Sequence, residues 1–286
     1  SANGGDLPTN GLEKVDYFGW SVAGISDLDG DGISELAVGA VKDDDSNNSD
    51  KDKGAVWILF LNGSGTVKSS TKISEGNGNF GGSLLKVGQF GSAVADIGDV
   101  NGDGITDLAI GNNWDKTGNK VKSGSVWVVF LDADGTVKSE QEISNDAGNM
   151  SETLNKNDFF GAAVASPGDL DGDGVPELAV GMPGDDVSGG GNRGAVMMLF
   201  LNSNGTVKSE LKIGSNQGGF TGALGNTDEF GIAMDVARDI NEDGISDLIV
   251  GAWNDDDASG NSGSAWILYL DSCLLYTSDA ADDANC

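Results

Sequence analysis

The sequence repeats itself four times, and that periodicity restricts the fold more than any other feature. Phe-Gly recurs at Phe18, Phe90, Phe160 and Phe230, at spacings of 72, 70 and 70 residues. A leucine lies six residues before each phenylalanine, at Leu12, Leu84, Leu154 and Leu224, and an acidic loop begins nine residues after it. Next come ELAVGA (35–40), DLAIGN (107–112), ELAVGM (177–182) and DLIVGA (247–252). A variable stretch leads to GAVWILFLN (54–62), GSVWVVFLD (124–132), GAVMMLFLN (194–202) and GSAWILYLD (263–271). Three copies then run through GTVKS to Ile73, Ile143 or Ile213.

Each unit reads as four strands and no helix. The first, around Ser21-Val22-Ala23, offers small residues where neighbours must approach closely. The second, Leu36-Ala37-Val38, is short and apolar. The third, Ala55 to Leu61, is a continuous apolar run, the pattern of a strand buried on both faces. The fourth, Thr66 to Ile73, is polar and carries Lys68, repeated as Lys138 and Lys208; lysine on an outer strand discourages pairing with another chain. Tandem units graded from small inner residues to a polar edge predict an all-β fold, a β-propeller of four-stranded blades. A β-solenoid is the alternative, but its rungs are shorter and its strands more alike. The blades are expected over about 10–73, 82–143, 152–213 and 222–271, within a propeller region 1–271.

The acidic loops carry the chemistry. Counting Asp27 as position 1, Asp29 stands at 3, Asp31 at 5, Gly32 at 6, Ile33 at 7 and Glu35 at 9. The other loops follow: Asp99, Asn101, Asp103, Ile105 and Asp107; Asp169, Asp171, Asp173, Val175 and Glu177; Asp239, Asn241, Asp243, Ile245 and Asp247. An oxygen-ligated calcium loop takes side chains at 1, 3 and 5, a backbone carbonyl at 7 and glycine at 6 for the turn. An EF-hand is excluded, because position 12 is Val38, Ile110, Val180 or Val250 where a bidentate Glu belongs. The flanks also read as strands, so position 9 is expected to close the site. Solvated Asp/Gly turns are the plain alternative, and magnesium suits an all-protein cage less well. Unneutralised, carboxylates a few Å apart repel by about 1 kcal/mol per close pair even in water. About four Ca²⁺ ions, one per repeat, are therefore expected. Loops one and three, with four carboxylates each, are expected to bind more tightly than loops two and four, where Asn replaces Asp at position 3. The acidic runs Asp43-Asp44-Asp45, Asp185-Asp186 and Asp255-Asp256-Asp257 read as solvated loops that keep the chain soluble, with binding of a further cation or a basic partner as the alternative.

Phe-Gly, the DxDGDG loop and Gly181-Met182-Pro183 together resemble the FG-GAP repeat of the integrin alpha-subunit propeller and its bacterial relatives. The resemblance runs from about residue 10 to 271. It is looser where Gly-Ala-Pro is replaced by Gly39-Ala40-Val41, Gly111-Asn112-Asn113 and Gly251-Ala252-Trp253. It implies a seven-bladed ring, of which four units are visible here, and hairpin loops that hold calcium.

Composition narrows the function. The net charge is −30, from 46 acidic and 16 basic residues, which repels nucleic acid and anionic membrane. There is no histidine, which removes Ser-His-Asp and Cys-His catalysis and most zinc sites. No apolar run reaches membrane-spanning length. Every paired carboxylate belongs to a repeated loop, and the two arginines, Arg193 and Arg238, lie in different units, so no catalytic set is expected. The expected function is a secreted or cell-surface adhesion or recognition module with a protein or glycan ligand. The alternatives are a propeller domain accessory to a larger secreted hydrolase or lyase, or a structural spacer. The numbering is expected to start inside a longer protein. The tail 272–286, which holds both cysteines, Cys273 and Cys286, resembles a translated sequencing adapter; on that reading the fourth blade lacks its outer strand. The other reading is a divergent strand through Leu274-Leu275-Tyr276. Four blades cut from a larger ring are expected to expose apolar end faces and to associate or be marginally stable.

Overall fold

A computed structural model describes residues 12–13, 15–44, 52–117, 119–186, 189, 191–256, 260–271 and 278–280. They form four antiparallel four-stranded sheets, one per repeat, with no α-helix among the described residues. In the first sheet, Phe18–Ile25 (β1), Glu35–Ala40 (β2), Ala55–Leu61 (β3) and Val67–Ile73 (β4) lie in chain order from inside to outside. The second sheet holds Phe90–Gly98 (β5), Asp107–Asn112 (β6), Ser125–Leu131 (β7) and Val137–Ile143 (β8). The third holds Val164–Gly168 (β9), Glu177–Met182 (β10), Ala195–Leu201 (β11) and Val207–Gly214 (β12). The fourth holds Ala233–Ala237 (β13), Asp247–Ala252 (β14), Ser264–Leu268 (β15) and Ser278–Ala280 (β16). The register repeats as well: Ala37, Ala109 and Ala179 face Ile58, Val128 and Met198.

These sheets are the blades of a β-propeller. Their innermost strands β1, β5, β9 and β13 line one cavity of about 350 Å³, where small side chains such as Ala23, Ala95 and Ala165 let the strands converge. Three apolar cores lie between consecutive blades, and a smaller one, Val38, Ala40, Trp57 and Leu59 under Leu12 and Phe18, covers part of the outward face of the first blade. Phe60 and Ile73 of the first meet Phe80, Phe90 and Trp127 of the second, and the next two junctions repeat the pattern. The third strand of a blade is apolar throughout because it is covered on both sides; β7 and β11 are buried along their whole length. The outer strands β4, β8 and β12 are partly exposed and polar.

Phe-Gly is the latch between blades. The N–H groups of Phe90, Phe160 and Phe230 donate to the carbonyls of Lys53, Ser123 and Arg193 in the preceding unit, at 3.0–3.1 Å. The glycine that follows sits at φ 87–91°, a region closed to most L-residues. Its carbonyl lies against a second glycine, that of ELAVGA and its equivalents. A Cβ placed on Gly39, Gly111 or Gly181 would come within 2.2, 2.1 or 2.0 Å of the carbonyl oxygen of Gly91, Gly161 or Gly231. Backbone thus packs on backbone, and only glycine fits on both sides of the contact. The phenylalanine rings at 90, 160 and 230 are fully buried beside it.

The end faces differ from the junctions. Val22 is 66% exposed where its equivalents Val94 and Val164 are 7% and 6% exposed. Ile249 is 42% exposed where Ala37, Ala109 and Ala179 are covered completely. Apolar end faces were expected, and they are present. The fourth sheet does not lack an outer strand: β16 pairs with β15, Trp266 opposite Ala280 and Leu268 opposite Ser278. Leu274-Leu275-Tyr276, Cys273 and Cys286 lie outside the described residues.

The latch makes a direct prediction. Gly181→Ala forces the Gly231 carbonyl away and destabilises the chain by about 3 kcal/mol, in the range of core overpacking. Gly251→Ala, whose Cβ would meet nothing closer than 3.6 Å, stays within about 0.5 kcal/mol of wild type. Urea unfolding of the two variants measures the contrast, and equal midpoints would remove the latch.

Candidate metal centre

The acidic loops are the β1–β2, β5–β6, β9–β10 and β13–β14 connections, all at one end of their blades. Each winds around its position-1 aspartate. Asp27 accepts N–H groups from Gly30, Asp31 and Gly32 at 2.9, 3.1 and 2.8 Å, and Asp169 accepts the same set from Gly172, Asp173 and Gly174. Asp99 and Asp239 accept from positions 5 and 6 at 2.7–3.0 Å. Position 3 (Asp29, Asn101, Asp171, Asn241) accepts the position-5 N–H. Position 5 (Asp31, Asp103, Asp173, Asp243) accepts the N–H of position 7 at 2.9 Å. These bonds fold the chain so that side-chain oxygens face a common point. At position 7, Ile105, Val175 and Ile245 turn their side chains onto the inter-blade cores, and Ile33 is half-buried.

Position 9 separates the loops into two kinds. All four residues are fully buried. Glu35 and Glu177 accept one backbone N–H each, from Leu28 and Leu170, with Oε2; their Oε1 atoms are buried with no hydrogen-bond partner. A buried carboxylate oxygen without a partner is a costly arrangement that calls for a donor or a cation. Asp107 and Asp247 are one methylene shorter, and both of their oxygens accept backbone N–H groups: Val100 and Leu131 at 3.0 and 3.2 Å, Ile240 and Leu270 at 2.8 and 3.1 Å. Burial pushes the Glu177 and Asp107 carboxyls up to about 7, and raises Glu35 for the same reason. Position 9 therefore has an oxygen to spare in the two glutamate loops and none in the two aspartate loops.

Two carboxylate groups converge closely enough for one ion. In Asp169, Asp171, Asp173 and Glu177, one oxygen from each lies within 4.8 Å of the others. Asp27, Asp29 and Asp31 form the other group, and Glu35 stands outside it. Oxygen-only donors with a buried orphan atom suit a hard cation such as Ca²⁺, so the residues fit the ion that the loop spacing implies. Loops two and four bring an amide oxygen instead of a third carboxylate from position 3.

A second set of acids was not legible as a site. Asp43, Asp115, Asp185 and Asp255 follow the second strand of each blade and are 2–6% exposed, not solvated. Asp43 pairs with Lys72 at 2.5 Å and Asp185 with Lys212 at 2.8 Å; Asp115 and Asp255 accept from the hydroxyls of Ser125 and Ser264. The partner comes from the third or fourth strand of the same blade (β4, β7, β12 or β15), a contact invisible in a run of aspartates. Asp186 and Asp256 are exposed, as expected. Asp45 and Asp257 lie outside the described residues. Asp158, two residues before its Phe-Gly, is buried too and accepts the Asn155 N–H at 2.5 Å.

Two measurements follow from these environments. Burial, opposed by the Asn155 N–H and reinforced by Asp185, pushes the Asp158 carboxyl up to about 6. A carboxyl raised on folding favours the folded state while protonated. Its contribution is whole below the unfolded value near 4 and is lost as pH rises through about 6. The stability of Asp158→Asn relative to wild type should accordingly climb between pH 4 and pH 6 and level off above, as followed by urea unfolding at each pH; a flat difference would contradict the burial effect. In loop four, Glu242 holds φ 62° where the other loops place Gly30, Gly102 and Gly172 at 74–77°. Glu242→Gly relieves left-handed strain and should stabilise the chain by about 1 kcal/mol, read from thermal or urea midpoints.

The FG-GAP repeat model matches residues 18–59 and 90–129, the latch, acidic loop and first three strands of blades one and two. Integrin alpha-5 of Xenopus laevis is 31% identical over 194 residues, covering 65% of this chain and 17% of that protein. Integrin alpha-PS2 of Drosophila melanogaster is 33% identical over 177 residues, 60% of this chain and 12% of that one. Integrin alpha pat-2 of Caenorhabditis elegans is 26% identical over 291 residues, 95% and 21%. The chain spans about a fifth or less of the length of these relatives. It is a β-propeller that contains FG-GAP repeats in its first two blades and has integrin alpha subunits as homologues at about 30% identity.

Proposed function

We propose that this chain is a calcium-binding propeller module for extracellular adhesion or recognition, with calcium holding the loops between the first and second strands of its blades. The observation that carries the metal reading is Glu177. Its Oε1 is buried without a partner, and its carboxylate stands within 4.8 Å of Asp169, Asp171 and Asp173. Asp27, Asp29, Asp31 and Glu35 are the ligands of loop one on the same reading. Asp99, Asn101, Asp103 and Asp107, and Asp239, Asn241, Asp243 and Asp247, would complete a count of about four, with the carbonyls of Ile33, Ile105, Val175 and Ile245 at position 7. The ion supplies no reaction: it neutralises the carboxylates and fixes the hairpin.

Likeness to integrin alpha subunits favours recognition of a protein or glycan outside the cell over catalysis. The strong negative charge disfavours nucleic acid as the partner. No helix among the described residues is long and apolar enough to cross a membrane. Weak oxygen-ligated sites are filled where calcium is abundant, as it is outside cells. The role of accessory domain in a larger secreted hydrolase or lyase stays the second reading, since the chain matches only part of each relative.

Calorimetric titration of EGTA-stripped protein with CaCl₂ should show binding, tightest at loops one and three. Each site filled a hundredfold over its Kd adds about 2.7 kcal/mol to folding stability, so melts in calcium should lie above melts in EGTA. No binding heat together with coincident melts would overturn the metal reading.

A further inference from the structure

The lysine of each Gly-Thr-Val-Lys-Ser stretch reads in sequence as protection for an outer strand. The structure turns it elsewhere. Lys68 opens β4, crosses the end of its blade and places its ammonium 2.7 Å from Asp29, also bonding Asp31. Lys208 repeats this in the third blade, 2.6 Å from Asp171 and 2.5 Å from Asp173. Lys138 reaches Asp103 alone, at 2.7 Å, because position 3 of that loop is Asn101. The ammonium therefore bridges positions 3 and 5 wherever both are acidic. The placement is set by register: the pairing passes from Phe60–Ser69 to Leu61–Val67, from Phe130–Ser139 to Leu131–Val137 and from Phe200–Ser209 to Leu201–Val207, so in each blade the lysine is the residue that the ladder skips.

The bridged carboxylates belong to the two groups that converge within 4.8 Å. Resting on the calcium reading above, we propose that Lys68 and Lys208 are resident counter-cations of loops one and three, which a calcium ion must displace on binding. Both cations seek the same carboxylates, and at that range they repel each other. Both ion pairs are solvent-exposed, and exposed pairs are weak, so a divalent ion held by several carboxylates expels the ammonium. The lysine then does two things. It lowers the apparent calcium affinity of the carboxylate-rich loops, and it keeps them neutralised and folded when calcium is scarce. Loop four is the comparison within the chain, since the sequence holds no lysine after Lys212.

The test uses Lys208→Met and Lys68→Met in the full chain, titrated with CaCl₂ by calorimetry after EGTA stripping and melted in EGTA and in calcium. Lys208→Gln serves as a second variant should the methionine disturb folding, with circular dichroism as the check. One site in each variant should tighten about tenfold. Lys138→Met should tighten its site less. In EGTA the Lys68 and Lys208 variants should melt below wild type, and in calcium the deficit should vanish. Affinities within twofold of wild type, with wild type binding calcium, would overturn the counter-cation role and leave the calcium reading standing. Binding by the variants but not by wild type would uphold the role in its strongest form, the lysine blocking the site. No binding by any of them would remove both.

Discussion

The molecule depends on backbone meeting backbone between blades. A Phe-Gly carbonyl rests against a strand glycine that has no room for even a methyl group, and the neighbouring phenylalanine N–H is tied to the previous unit. This contact sets the distance and angle at which one sheet follows the next. The inter-blade cores then fill the wedge that the latch defines: Phe80 packs on Phe90 and Trp127, with ring centroids 5.1 and 5.0 Å apart, and Phe220 packs on Phe230 and Trp266 at 5.1 Å in the fourth blade. Burial of these rings supplies much of the stabilisation. Their geometry follows from the glycines, since a close-packed interior cannot absorb a shift of even one methylene at no cost.

Charge is the second constraint. Each loop concentrates carboxylates at the tip of a hairpin whose strands must stay in register. The chain handles this locally, with backbone N–H groups aimed at positions 1, 3 and 5, and with a lysine from the outer strand in three of the four blades. Position 9 shows how one methylene alters the outcome. Glutamate carries an oxygen past the backbone donors and leaves it without a partner, whereas aspartate keeps both oxygens on them. The loops are thus chemically unequal although they share one backbone course.

Much of this was legible in the sequence because the repeat supplied its own controls. The continuous apolar run Ala55–Leu61 is a strand over those same residues, since no other element of seven residues stays apolar on both faces. Four identical loop spacings located the hairpins. What was hidden depends on contacts far apart in the chain. The reach of Lys68 to Asp31 spans 37 residues, and alternation within a strand says nothing about a side chain at its end. Asp43 sits in a run of aspartates that looks solvated, yet Lys72 draws it inward. The closeness of Gly39 to Gly91 leaves no trace in composition, because a glycine in ELAVGA reads equally well as a weak strand residue. Nor could sequence alone tell that Glu35 and Glu177 leave one oxygen unused while Asp107 and Asp247 do not.

A junction made three times in the same way is indifferent to how often it is made. Each unit brings one latch and offers one socket, so removing or duplicating a stretch of about 70 residues leaves every remaining contact intact. A change of length inside the strands separates a Phe-Gly from its receiving glycine and opens a core, whereas the connecting loops already differ in length from unit to unit, which is why the Phe-Gly spacing is 72 residues once and 70 twice. Outside the loops, the architecture therefore permits growth or shrinkage in whole blades only. Single residues are least constrained on the loops and on the partly exposed outer strands.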